Sequence, residues 1–307
     1  SLISPVFPKV ELEKLRAQLL TGLAIRAQDT SDMASMVFDG ILFKDHPYSR
    51  PEDGYPETIQ KITRRDLVRF HREHYGPRGM VLAVVGAVKP EEAVRQVKRA
   101  LGGWQANGQE EMPVLPDPRF LKKTVSKHHR IPGKSQSDLV IGTNGPRRRD
   151  PEYMSASLGN NILGQFGMMG RIGDVVREKS GLAYYAYSSL SAGTGPGSWE
   201  VSAGVNPQNV SKARDLICAE LDRFVHEGVA EEELADSQAN FVGRLPLSLE
   251  SNGGVASALL NIERHKLGLD YYRRYPDLVN AVTREDVLTT ARKFIDVSKL
   301  AISIAGP

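Results

Sequence analysis

The feature that most constrains this chain is a repeat of domain length. Ile62-Thr63-Arg64-Arg65-Asp66-Leu67 reads almost as Val282-Thr283-Arg284-Glu285-Asp286-Val287, an offset of 220 residues. The same ungapped offset pairs Tyr55-Pro56 with Tyr275-Pro276, Arg72 with Arg292 and Gly86 with Gly306. It also pairs Glu11, Glu13 and Gln18 with Glu231, Glu233 and Gln238. Both copies share one local grammar. A Thr N-cap precedes an acidic residue in the first turn of a helix. An apolar run of strand length ending at Gly follows: Met80–Val85 in one copy, Leu300–Ala305 in the other.

The period is too long for a solenoid and matches a domain. The expected organisation is therefore two copies of one domain. Residues 1–102 correspond to the later part of the first copy, 103–118 to a Gly/Pro-rich linker, and 119–307 to a full second copy. On this reading the first copy is N-terminally truncated. Helices are predicted over 9–28, 30–43, 63–75, 90–101, 151–164, 170–179, 207–226, 230–245, 253–266 and 283–295. Strands are predicted over 80–86, 121–129, 136–142, 183–191, 198–204 and 299–305. The fold class is α+β.

Composition narrows the function classes. Forty basic residues against 37 acidic ones leave a net charge of +3, too small and dispersed for a nucleic-acid surface. The lone Cys218 excludes an internal disulfide and any multi-cysteine zinc site. No run of 18 apolar residues is present, so no transmembrane helix is expected.

The histidines do not make a helical zinc pair. His71 and His74 are three apart, where such a pair needs four, and they close a helix. His128 and His129 are neighbours on a predicted strand and point to opposite faces. The Gly-rich run Gly164–Gly170 lacks the Gly-Lys-Ser/Thr of a phosphate loop and reads as a turn. After it, Arg177 lies near a helix end, Gly181 breaks that helix, and Tyr184 opens a strand. Such a corner can set two donors on one side of a cleft, where they could polarise a carbonyl. The alternative is a surface Arg beside Glu178 and a Tyr packed on the sheet.

Four stretches, His46-Pro47-Tyr48-Ser49-Arg50-Pro51-Glu52-Asp53-Gly54, Ile62–Leu67, Val84-Val85-Gly86 and Arg177-Glu178-Lys179-Ser180-Gly181-Leu182-Ala183-Tyr184, together resemble the M16 zinc peptidases. These are the insulinase-like or pitrilysin-like enzymes, and the chain looks most like their processing-peptidase branch. The resemblance implies duplicated domains, each a largely antiparallel sheet covered by helices. It also implies that Arg177 and Tyr184 are the pair that contacts substrate near the metal.

The family's His-x-x-Glu-His motif occurs nowhere in this sequence, and alignment of Leu15-Arg16 puts the distal zinc-ligand position at Gly22. The resemblance therefore implies a non-catalytic subunit with no metal and no catalytic residue of its own. Zinc would belong to a partner chain or to a part of the protein outside this sequence. The implied partners are a zinc-bearing M16 subunit or a second copy of the chain, and a peptide. Two alternatives stay open: a portion of an active zinc peptidase, and a structural core protein. The compartment is not readable from the sequence; the periplasm is the expectation for a Gram-negative source.

Overall fold

The computed structural model describes residues 2–106, 108–167 and 170–307. Along the chain run α1 (Lys9–Arg26), α2 (Thr30–Leu42), α3 (Pro56–Ile59), α4 (Arg64–His74) and α5 (Pro90–Leu101). Then come β1 (Val125–Arg130), β2 (Ser137–Asn144), α6 (Tyr153–Gly164), α7 (Gly170–Gly173), β3 (Ala183–Ala192) and β4 (Pro196–Val205). The chain closes with α8 (Val210–Glu227), α9 (Glu231–Ser248), α10 (Asn252–His265), α11 (Tyr271–Asn280), α12 (Arg284–Phe294) and β5 (Ala301–Gly306). Two compact units result. One holds residues 1–25, 52–114 and 246–268; the other holds 26–51, 115–245 and 269–307.

The second unit is built on a five-stranded sheet of order β1-β5-β2-β4-β3. β1 runs parallel to β5, and the other pairs are antiparallel. Side chains alternate between faces along each strand. Leu139 and Ile141, Trp199 and Val201, and Ile302 face a core completed by Leu158, Ile217, Phe224 and Val287 of α6, α8 and α12. On the opposite face α2 lies over β2 and β5. Its Met33, Phe38, Ile41 and Leu42 fall at helical spacing and meet Val140, Ala301 and Ala305. The rest of that face carries polar residues, among them Asp138, Tyr185 and Glu200.

The first unit repeats the helical grammar, with no sheet among its described residues. Thr63 and Asp66 cap α4 reciprocally, with Thr63 N donating to Asp66 Oδ2 at 2.9 Å. Thr283 and Asp286 cap α12 in the same way, at 2.8 Å. Arg64 Nε donates to the Phe7 carbonyl ahead of α1, and Arg284 Nε to the Val229 carbonyl ahead of α9. Arg16 on α1 donates to the carbonyls of Ile59 and Ile62; Gln238 on α9 donates to those of Val279 and Val282. Arg16 therefore matches Gln238 at an offset of 222. Over α1 and α9 the equivalence slides by two residues, which corrects the pairing of Gln18 with Gln238.

Two expectations fail for physical reasons. The run 80–86 is not a strand: Leu82 is 55% exposed, and no ladder partner stands beside it among the described residues. Its counterpart β5 lies hydrogen-bonded between β1 and β2. A strand exists only through its neighbours, because its backbone groups cannot pair within the segment. Second, α11 is unpredicted because Pro276 lies inside it. The matching Pro56 instead opens α3, where Gly54 at φ +70° bars any earlier helical turn.

Candidate functional site

The corner carrying Arg177 and Tyr184 belongs to the second unit. α7 passes directly into a π-helical turn over Asp174–Glu178. Lys179 N donates to Asp174 O at 2.8 Å, the five-residue spacing of that turn. Such turns are rare and recur at functional sites. Gly181 follows at φ +62°, a conformation that side chains disfavour. Leu182 N then donates to Val176 O at 3.1 Å and closes the corner. Arg177 and Tyr184 thus leave from the two arms, one and two residues beyond that bond.

β3 opens with a bulge. Ala183 pairs with Val205 and Tyr185 with Gly204, so Tyr184 is the extra residue. Bulges re-aim a side chain, and Tyr184 is 69% exposed. Arg177 is partly exposed, and its described ion pair is a loose one, 3.7 Å from Glu178. Both donors reach solvent, and the described contacts include no bond between them. The sequence alternative of a Tyr packed on the sheet does not hold for Tyr184. It describes its neighbour Tyr185, which is turned onto Asp138.

The corner is anchored at its base. Arg171 of α7 donates to both carboxylate oxygens of Glu233 on α9 and lies 3.8 Å from buried Glu220 on α8. Burial pushes the Glu233 pKa up, but hydrogen bonds from Arg171 and the Ala230 amide outweigh it and hold the carboxyl below its usual range. At its other side, α6 ends against β3 without a side chain: a Cβ on Gly164 would sit 2.1 Å from Ser188 N. Gly170 N donates to Phe166 O at 2.7 Å. Met168 and Met169, part of the Gly-rich run, lie outside the described residues.

Zinc does not fit the residues described. Among them no group of three His, Cys, Asp or Glu side chains converges as a metal site. His71 Nε2 donates to Leu2 O, 2.8 Å away, and its ring stacks on Tyr75; His74 packs on Phe70. Both complete the end of α4. Gly22 offers no ligand atom, although nothing lies within 4 Å of a Cβ built there.

The sequence reading missed the buried partners of this corner. Asp138, Gln136 and Thr30 form a network under Tyr185. The available signals were a charged residue inside the apolar run of β2 and the Tyr184-Tyr185 doublet, which breaks strand alternation.

Comparison with known proteins agrees with this architecture. The family profile described as peptidase M16 inactive domain matches residues 61–241. An uncharacterised zinc protease of Streptomyces coelicolor is 28% identical over 316 residues, covering 100% of this chain and 67% of its own length. A probable mitochondrial-processing peptidase subunit beta of Schizosaccharomyces pombe is 23% identical, covering 92% of this chain and 64% of its own length. The crystal structure of a peptidase M16 inactive domain from Pseudomonas fluorescens superposes with a TM-score of 0.91 at 27% identity. It covers the whole chain, which spans 73% of that protein. The chain thus spans about two thirds of the curated relatives' length. The duplicated helical grammar, the second unit's sheet and these matches together show that the chain belongs to the peptidase M16 family, of the inactive-domain type.

Proposed function

We propose that this chain is a non-catalytic, peptide-binding part of a zinc peptidase, in which Arg177 and Tyr184 hold the substrate. Residues 1–102 form the later part of one domain copy, 103–118 a linker, and 119–307 the second copy. The observation that carries the reading is the pair of exposed donors on a π turn and a β-bulge, in a chain whose described residues offer no zinc site. The metal and the hydrolytic machinery belong elsewhere, on a second M16 subunit or on a part of the protein outside this sequence.

The chemistry of this half is positioning. Arg177 brings a fork of charged donors and Tyr184 a neutral hydroxyl. A peptide carbonyl oxygen accepting from both is fixed and polarised toward attack. β3 is the last strand of the sheet, so an extended peptide can align along its outer edge.

The test uses the full-length parent with a co-expressed zinc-bearing M16 subunit and an internally quenched peptide. Arg177→Ala and Tyr184→Phe each lower kcat/KM by roughly 100-fold, with zinc content and assembly unchanged. Unchanged kcat/KM in both variants contradicts the reading and favours a scaffold role.

A further inference from the structure

We infer that Asp138 and Tyr185 form a positioning device that fixes the direction of Tyr184, and that the first turn of α2 shares this device. The inference rests on the proposed role of Tyr184 in peptide binding.

Asp138 on β2 stands opposite Gly204 on β4, and Gly204 stands opposite Tyr185 on β3. These three residues form one row across three strands. The Tyr185 ring crosses the middle strand at its glycine: a Cβ on Gly204 would lie 2.5 Å from Tyr185 Cε1. The phenol then donates to Asp138 Oδ1, two strands away. Because Tyr185 is held opposite Gly204 while Ala183 is held opposite Val205, the residue between them has no place in the ladder. That residue is Tyr184. The bulge, and with it the outward aim of Tyr184, follows from where Tyr185 is tied.

The anchor is a costly one. Asp138 is 1% exposed, and its described partners are neutral donors. Gln136 Nε2 donates to its two oxygens at 3.0 and 3.1 Å, and the Thr30 and Tyr185 hydroxyls complete the set. A buried carboxylate held without a cation is strongly penalised when one donor is lost. The same burial and the hydrogen bond to Asp138 push the Tyr185 pKa upward, so its hydroxyl stays a donor at neutral pH. Thr30 opens α2, which brings the positive end of that helix to the same carboxylate. Ser31, next on α2, lies 3.5 Å from the Tyr185 hydroxyl. The seating of α2 and the aim of Tyr184 therefore depend on one buried group. None of the described contacts of this network reaches Arg177, so the device acts on one donor of the pair.

Asp138→Ala would unseat α2 and β3 together, so Tyr185→Phe is the discriminating variant: it keeps the ring and removes one donor. Two readouts are taken on the full-length parent with its zinc-bearing partner subunit. The first is amide hydrogen exchange over residues 183–187, which rises roughly tenfold in Tyr185→Phe while β5 is unchanged. The second is a double-mutant cycle in kcat/KM for the quenched peptide. Tyr185→Phe alone lowers kcat/KM roughly tenfold, and adding it to Tyr184→Phe changes little, because the positioned hydroxyl is already gone.

Fully additive losses, or no change in exchange at the bulge, overturn the positioning role. If Tyr184→Phe has no effect on kcat/KM, the substrate-binding reading fails instead. The exchange result then still decides whether Tyr185 holds the bulge.

Discussion

The two units carry the same local instructions and reach different ends. Each has a Thr/Asp capping box on the same helix, and in each an Arg reaches back to a carbonyl ahead of an earlier helix. Only the second unit has a sheet among the described residues. Its run Ala301–Gly306 is almost wholly buried, whereas Met80, Val81, Leu82 and Val84 in the first unit are all exposed. Helices and caps are closed by bonds within a dozen residues, so they form wherever their sequence stands. A strand draws its bonds and half its packing from other segments.

That contrast can be broken most sharply by hydrogen exchange. Amides of 301–306 should be protected on the order of 1,000-fold or more above those of 80–86. Equal protection would mean that the first unit orders its apolar run without a ladder. The next comparison uses the matched residues Ile302, 5% exposed, and Leu82, 55% exposed. Ile302→Ala should cost about 2–5 kcal/mol by denaturant titration. Leu82→Ala should fall within about 0.5 kcal/mol.

A third prediction concerns the polar face of the second unit, where Asp39 of α2 and Glu200 of β4 repel each other. Burial, and then the neighbouring Glu200 carboxylate, push the Asp39 pKa up to about 7. Burial raises Glu200 too, against hydrogen bonds with Ser198 and Ser189. Unfolded, an Asp titrates near about 4. Between about pH 4 and 7 the folded state keeps a proton that the unfolded state has released, so this group's contribution falls as pH rises through that window. Asp39→Asn should leave stability at pH 4 nearly unchanged and raise it at pH 8 by about 2 kcal/mol, after discounting for partial exposure. Thermal melts at the two pH values check this; a pH-independent effect would place the carboxyl in contact with water. The smallest effect expected is the most symmetric. Thr63→Ala and Thr283→Ala should each cost about 1 kcal/mol, the same in both units. A twofold disparity in urea midpoint shifts would show that the sheet contributes to the second cap.

The ten predicted helices are all present because their signals are local: Thr63 and Thr283 as caps, Pro207 after Asn206, and the apolar spacing of α2. The corner that carries Arg177 and Tyr184 was legible for the same reason, since Gly181 marks it in sequence. What lay outside the sequence reading depends on register. That Tyr184 rather than Tyr185 faces outward follows from two strand pairings and a glycine twenty residues downstream of the doublet. That α2 belongs with the second unit depends on how the stripe of Met33, Phe38 and Ile41 fits Val140 and Ala305, a match between segments about 100 and 270 residues apart.

The central claim is that the chain contributes substrate-binding donors to an assembly whose zinc is held elsewhere, and the metal content of the purified full-length parent tests it most directly. If a separate subunit holds the zinc, the parent alone contains no stoichiometric zinc and cleaves no peptide, and cleavage appears on adding a zinc-bearing M16 subunit. One tightly bound zinc per chain, with peptidase activity in the parent alone, would contradict the separate-subunit account and make this chain a portion of an active enzyme.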